Sequence, residues 1–264
     1  MKKTAKSALS TEYTVPFTVR SYEVTANGVV TLSNICNYFQ EAAGIHADYL
    51  NFDINQLQEK GLTWVLYKMQ VKVQRYPKRW DKVLVRTKPS AGDGIRAFRD
   101  YELLDNNENR LAAAVSQWMV LNTKTKRPVR IPDEILNLGF SSDNHVIEPD
   151  TKSLKVLQAD NAKFTTTSGY HDLDMNNHVN NVTYIDWFTG YIPEERISGL
   201  TCHKIHIQYI AECGAGDAIY QTLQYSETED GLKIVHTLFK NDRYQPVAAA
   251  ITNWSRTPYS SPQS

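Results

Sequence analysis

The sequence is poor in cysteine, and this shortage excludes two classes of protein. Its 264 residues contain only Cys36, Cys202 and Cys213. An odd number of cysteines without regular spacing fits neither a disulfide framework nor a zinc site. We therefore expect a chain from a reducing compartment, with no metal ion and no other cofactor.

An excess of charge and long hydrophobic runs are also missing. The 29 basic and 29 acidic residues give a formal net charge of +0, which does not favour nucleic acid or an anionic membrane as a partner. No segment offers the roughly 18 consecutive apolar residues of a membrane span. Residues 1–10 are basic but are not followed by the apolar stretch of a secretory signal. These absences predict a soluble, cytoplasmic protein.

Two apolar segments have the spacing of buried helices. Residues 34–50 and 179–191 place apolar side chains three or four positions apart, which predicts a helix in each. Asn177 is the predicted N-cap of the second helix.

Most of the remaining chain alternates between apolar and polar residues, which is typical of strands. In the segment 63–73, Met69 and Val71 point to one side, and Lys68 and Gln70 point to the other. The other predicted strands are residues 82–88, 96–104, 111–122, 203–210, 218–225, 232–240 and 246–254.

The order of these elements repeats along the chain. Each half contains a short strand, a long apolar helix and four or five further strands. Tyr38 matches Tyr184 at an offset of 146 residues, and Asp81 matches Asp217 at an offset of 136. The repeat indicates two copies of one unit.

Such a helix is buried when an antiparallel sheet covers it, and two copies side by side share one sheet with both helices on one face. The sequence therefore predicts an α+β fold of two tandem hotdog units, a double hotdog. We place the N-terminal hotdog at residues 11–128, a polar linker at 129–158 and the C-terminal hotdog at 159–256. The tail after Arg256 is expected to be disordered.

Polar and ionisable side chains crowd the segment before the second predicted helix. Asp174, Asn176 and His178 lie within five residues of one another. The first turn of a helix has backbone N–H groups without partners and a partial positive charge, so it can stabilise an oxyanion. This combination indicates an acyl-transfer site. The alternative is that Asn177 simply caps the start of the helix and Asp174 complements its dipole.

Residues 172–184, DLDMNNHVNNVTY, resemble the signature of the acyl-ACP thioesterases of plants and bacteria, DLDMNQHVNNVxY. The departure from that signature is Asn177, where the family has Gln. Two other segments resemble the family: Ser116-x-Trp-x-x-x-Asn-x-x-Thr125 and YIAEC at residues 209–213. The resemblance extends from about Tyr13 to Trp254.

The resemblance implies a set of site residues. They are Asp174, Asn176 and His178 in the loop and Glu212 on a later strand. Cys213 has been proposed as a nucleophile in some members of the family, whereas other accounts assign it no essential role. We expect Glu212 to activate water as a general base, with His178 sharing that work or orienting the water. Asn176 would position water or substrate, and Asp174 would hold its neighbours or the loop. An acyl-enzyme on Cys213 is the rival route.

The first copy lacks these groups. At an offset of 146 it has Gly28, Val30 and Leu32 where the second copy has the loop residues, and at an offset of 136 it has Tyr76-Pro77 in place of Glu212-Cys213. We therefore expect catalysis in the second copy and binding in the first. The expected walls of an acyl-binding slot are Tyr38, Phe39, Ala42, Ala43 and residues 64–69.

The activity implied by the resemblance is hydrolysis of fatty acyl-acyl carrier protein, which releases free fatty acid and holo-ACP in fatty acid biosynthesis. The alternatives are an acyl-CoA thioesterase on the same scaffold and a non-catalytic acyl-binding hotdog protein. Because an acyl carrier protein is strongly acidic, the basic residues in 123–130 or in 75–82 are candidate docking surfaces, unless they are only solvated loops. Assembly as a homodimer is left open.

Overall fold

The alternating segments of the sequence fold into one large antiparallel sheet. The computed structural model describes residues 11–90, 92–136, 145–241 and 245–256, so the tail after residue 256 lies outside the described residues. All eight predicted strands are present, with their ends within three residues of the prediction. The strands are β1 Tyr13–Thr18, β2 Leu62–Val73, β3 Lys82–Ser90, β4 Arg96–Leu104, β5 Arg110–Asn122, β6 Pro128–Val129, β7 Lys163–Thr167, β8 Thr201–Tyr209, β9 Ala218–Thr228, β10 Gly231–Lys240 and β11 Gln245–Ser255.

The two halves of the chain meet at the pairing of β2 with β8. The strand order is β1-β3-β4-β5-β2-β8-β11-β10-β9-β7, and β6 pairs with β5. At the centre of the junction Gln70 pairs with His206, and Lys68 and Lys72 pair with Gln208 and Lys204 on either side. Because Gln70 and His206 are 136 residues apart, a pseudo-twofold axis passes beside this pair, and it relates the strands at the offset predicted from the sequence.

A repeated hydrogen bond confirms the offset of 136 deeper in the sheet. The Trp118 indole donates to Ser116 Oγ at 2.7 Å, and the Trp254 indole donates to Thr252 Oγ1 at 2.8 Å. A buried indole N–H needs an acceptor, which both copies supply from the residue two positions earlier on the same strand.

Both long helices lie on one face of the sheet. Phe39 of the first helix packs on Tyr101 of β4 at 5.1 Å, and Phe188 of the fourth packs on His236 of β10 at 5.5 Å. The double hotdog predicted from the sequence is confirmed, and no helix among the described residues is long and apolar enough to cross a membrane. The helices are α1 Leu32–Tyr49, α2 Ile54–Glu59, α3 Asp133–Leu136, α4 Thr183–Gly190 and α5 Glu194–Ile197.

The second long helix is shorter than predicted. It begins at Thr183 rather than at residue 179 and has 8 residues, against 18 in α1. The predicted N-cap, Asn177, is wrong because this residue lies in a turn with a left-handed φ of 62°. Asn180 is the residue whose side chain accepts from a backbone amide at the helix start, that of Val182, at 3.0 Å.

Residues 145–158, called here the strap, cross the face of the sheet opposite to the helices. Met69 and Val71 of β2 face the core that contains α1, whereas Gln70 and Lys68 on the other side bond to the strap. The predicted linker thus includes an ordered segment held by side chains of four strands. The backbone N–H donors and their side-chain acceptors, from β4 to β10, are Val146 with Asp100, Asp150 with Gln70, Leu154 with Gln208 and Leu157 with Thr237.

Candidate active site

The loop that precedes α4 is organised around the carboxylate of Asp174. Its Oδ1 accepts from the backbone N–H of Asn176 at 2.8 Å and of His178 at 3.3 Å. The Asp174 backbone N–H donates to the His178 carbonyl at 2.8 Å, which closes the turn. Asp174 therefore fixes the loop through its backbone, which was one of the roles predicted for it.

The same loop exists in the first copy, where it shows that the predicted offset of 146 is wrong. The amide of Thr25 donates to Val29 as that of Asp174 does to His178, and the amide of Gly28 donates to Thr25 as that of Asn177 does to Asp174. These equivalent pairs are 149 residues apart. The helix follows the same offset, since Phe39 and Phe188 make equivalent contacts.

The corrected offset changes the comparison of the two loops. Thr25, Asn27 and Val29 take the places of Asp174, Asn176 and His178. Gly28 has a φ of 75° at the position where Asn177 has 62°, so the left-handed turn occurs in both copies. The first copy thus keeps the loop and one amide but lacks the carboxylate and the imidazole.

Glu212 lies against this loop. Its Oε2 is 3.3 Å from Nε2 of His178, and the two side chains are 48% and 36% exposed. The Val179 amide donates to the Cys213 carbonyl at 2.8 Å, which joins the loop to the segment after β8. A carboxylate and an imidazole at this distance form an acid–base pair that water reaches.

Cys213 points away from this pair. It is 1% exposed, and it is not among the residues that line the adjoining cavity, although Glu212 is. Burial raises the pKa of its thiol, which disfavours the thiolate that a nucleophile requires. Glu212 and Cys213 are neighbours in sequence, but the fold places only the first in the site.

Asn176 connects the loop to the N-terminal half of the chain. Its Oδ1 accepts from Nε2 of Gln58 in α2 at 3.1 Å. Nothing in the spacing of the sequence pointed to Gln58, because the bond spans 118 residues. The site is therefore closed on one side by a helix of the other half.

Few backbone amides at the start of α4 are free for an oxyanion. The amide of Val179 donates to Cys213 and that of Asn180 donates to Asp172, so two of the three amides of residues 179–181 are occupied. Within the described part of the chain, the Asn181 amide meets no acceptor. Asn181 lines the cavity, and Tyr209 donates to its carbonyl at 3.0 Å.

A cavity of about 1580 Å³ opens beside the loop. Residues of both halves line it, from α1, α2, β2 and β5 on one side and from residues 173–181 and 208–212 on the other. Of the predicted walls, Ala43 and residues 64–67 line the cavity. Tyr38, Phe39 and Ala42 do not, because they are buried in the core between α1 and the sheet.

Comparison with known proteins identifies the family of this chain. Residues 10–138 match the model of the acyl-ACP thioesterase N-terminal domain, and residues 157–256 match that of the C-terminal domain. The chain belongs to the acyl-ACP thioesterase family. The family resemblance seen in the loop signature is therefore confirmed over most of the chain.

Named relatives of the family are longer than this chain. The chain is 33% identical over 230 residues to the chloroplastic palmitoyl-acyl carrier protein thioesterase of Cuphea hookeriana, an alignment that covers 81% of this chain and 55% of the relative. It is 32% identical over 237 residues to oleoyl-acyl carrier protein thioesterase 2 of Arabidopsis thaliana, covering 82% and 63%. The chain spans little more than half the length of these relatives.

Solved structures of the family have the same fold. An acyl-ACP thioesterase from Bacteroides thetaiotaomicron superposes with a TM-score of 0.84 at 22% identity, over 95% of this chain and 100% of that one. The 12:0-ACP thioesterase from Umbellularia californica gives a TM-score of 0.80 at 27% identity, over 92% and 93%. The likeness covers both halves, so the arrangement of the halves is shared.

Proposed function

We propose that this chain hydrolyses the thioester of fatty acyl-acyl carrier protein and releases free fatty acid and holo-ACP. The observation that carries the proposal is the pair of Glu212 and His178, 3.3 Å apart, at the mouth of a largely apolar cavity. Family membership and the activities named for the relatives support it. The reaction belongs to fatty acid biosynthesis.

The geometry favours direct attack by water. Glu212 takes a proton from water as the water oxygen bonds to the thioester carbonyl carbon, and His178 orients the water or shares the proton. The C–S bond then breaks, and the carrier thiolate takes up the proton that Glu212 received from water. Asn176 positions the reactants, and the free amide of Asn181 is the candidate donor to the carbonyl oxygen. Cys213 has no part in this scheme.

Of the two basic surfaces, we propose the turn between β5 and β6 for docking the acidic carrier protein. β8 runs antiparallel to β2 and β2 to β5, so Glu212 lies at the same end of the sheet as this turn. Lys126 of the turn lines the cavity, and Lys124 and Arg127 are exposed. Residues 75–82 lie at the opposite end, where a carrier could not reach the site.

We also propose a division of labour between the halves. Residues 11–128 form the binding half, 129–158 the connection and 159–256 the catalytic half. In support, α1 continues well beyond the length of α4, and this extension, with α2, provides much of the cavity wall.

The test is hydrolysis of a panel of acyl-ACP and acyl-CoA thioesters of graded chain length by the whole protein. We expect higher kcat/KM on the carrier-bound series, and loss of activity in Glu212→Gln. Equal or better rates on acyl-CoA would favour the acyl-CoA thioesterase. No cleavage of any thioester, together with binding of added free fatty acids, would favour the non-catalytic acyl-binding protein.

A further inference from the structure

A buried cation lies on the wall of the cavity, far from the loop. Arg99 of β4 is 6% exposed and lines the cavity. The neighbouring walls are mostly apolar and include Trp64, Leu66 and Trp118. A charged group at this depth is unusual unless something compensates it.

The protein satisfies only part of this guanidinium. Nη1 is 3.1 Å from His46 Nδ1 and 3.3 Å from Thr87 Oγ1. Arginine only donates, so His46 Nδ1 is the acceptor and this imidazole is neutral. The Thr87 hydroxyl in turn donates to the Asp100 carbonyl at 2.9 Å. Neither partner of Arg99 carries a negative charge.

The rest of the guanidinium has no protein partner within the described ranges. No carboxylate pairs with Arg99 there, and no acceptor meets its Nε or Nη2. Arginine carries five N–H donors, so several remain open on a residue that faces the cavity. Burial of this group lowers the pKa of Arg99, in keeping with a cation that lacks water.

The sheet register places Arg99 on the part of the cavity wall remote from the chemistry. Arg99 pairs with Ser116, Ser116 with Met69 and Met69 with Ile207 of β8. Three steps between strands separate the backbones by about 14 Å. Because β8 leads directly to Glu212, a substrate with its thioester at Glu212 reaches Arg99 with the tail of its acyl chain.

We propose that Arg99, held by His46 and Thr87, ends the acyl-binding cavity with a polar stop and so limits the length of the hydrocarbon tail. This inference rests on the proposed function for the orientation of the chain. A methyl terminus pressed against the open N–H donors would remove their remaining water and return no hydrogen bond. A tail with an oxygen at this depth would supply the missing acceptor.

The first experiment compares chain-length profiles. Arg99→Met keeps a long flexible side chain and removes the charge, so the fold is expected to persist. Wild-type kcat/KM on acyl-ACP should fall beyond a limiting length. In the variant we expect about a tenfold gain on the chain that is two carbons longer. Arg110→Met is the matched control, because Arg110 is outside the cavity and pairs with Glu102.

The second experiment does not depend on catalysis or on the variant. Trp64 and Trp118 line the cavity, so their fluorescence reports binding of free fatty acids to the wild-type protein. At the first length beyond the limit, an ω-hydroxy fatty acid should bind at least tenfold more tightly than the plain fatty acid.

The outcomes separate the two proposals. If Arg99→Met and wild type have the same chain-length profile, the polar stop is overturned while thioester hydrolysis stands. Equal binding of the plain and ω-hydroxy fatty acids would also overturn the polar stop, even if the variant did not fold. If no thioester is cleaved, the proposed hydrolase fails, and the binding series alone decides on Arg99.

Discussion

Glu212 and Cys213 illustrate how one peptide bond separates two chemical environments. The carboxylate is half exposed and lies 3.3 Å from the His178 ring. The thiol is buried, and burial raises its pKa. We expect Glu212→Gln to lower kcat by about a hundredfold or more and Cys213→Ala to keep kcat within about threefold of wild type, measured as steady-state hydrolysis.

Thermal unfolding of both variants serves as the control for folding. A folded Cys213→Ala protein without activity, or a burst of acyl-enzyme in the wild type, would favour the covalent route instead. Retained activity in folded Glu212→Gln would shift the role of base to His178.

Tyr209 acts on the site through a backbone atom. Its hydroxyl donates to the Asn181 carbonyl at 3.0 Å, and this bond holds the residue whose own amide, on the preceding peptide, is the candidate donor to the substrate. Tyr209→Phe should lower kcat about tenfold with little change in KM, because the contact serves the transition state more than the bound substrate. Steady-state kinetics measure kcat and KM of this variant beside those of Tyr170→Phe, a control at an 87% exposed residue. Equal changes of kcat in the two variants would contradict the role of Tyr209.

At the scale of elements, the alternation of apolar and polar residues was sufficient to predict every long strand. It did not predict whether the polar side chains of a strand are buried or exposed. Lys68 and Gln70 alternate with apolar residues, yet both are buried. The reason is the strap, whose backbone they bond through side chains. Such bonds link residues about 80 positions apart, so no local pattern predicts them.

At the loop and α4, by contrast, the local pattern predicts more helix than the structure contains. Val179 and Val182 continue the helical spacing of the residues that follow, which is why the helix was predicted to begin at residue 179. In the structure the Val179 amide pairs with Cys213, and the Asn180 side chain accepts from the Val182 amide just before the helix. The site residues were predicted from the family signature, whereas Gln58 and Arg99 come together with the cavity only in three dimensions.

The strap also makes stability depend on pH. Burial, with Lys68 and Lys204 nearby and Asp150 opposing, lowers the pKa of His206 from 6.5 to about 4. A lowered pKa of a base means that the unfolded chain binds the proton more readily. The stabilisation is therefore complete above pH 6.5 and is lost as the pH falls through 4.

Urea unfolding between pH 7 and pH 4 measures this contribution. We expect wild type to lose on the order of 2 kcal/mol more than His206→Gln over this range. The buried His236, whose pKa is lowered to about 3, contributes equally to both proteins and cancels. His171→Gln, at an 89% exposed side chain, is the control. If the free energy of unfolding of His206→Gln falls with pH as steeply as that of wild type, the effect does not come from His206.

At the scale of the whole molecule, the position of the basic turn predicts how charge affects the reaction. Lys124→Glu with Arg127→Glu should raise KM for acyl-ACP several-fold at low salt, and added salt should reduce the difference. KM for the matching acyl-CoA should change little. The paired control is Lys78→Glu with Arg79→Glu, at the opposite end of the sheet. A larger effect from the control pair would assign docking to that end.

The β2–β8 junction gives one chain the architecture of a dimer whose two members are free to diverge. In a true homodimer each substitution appears twice, so a loop cannot gain chemistry in one copy and lose it in the other. Here Thr25 and Val29 occupy the positions in the first copy that Asp174 and His178 occupy in the second, and each residue is encoded separately. Under the proposed function, selection can therefore alter which fatty acid is released through the first unit without altering the residues that release it.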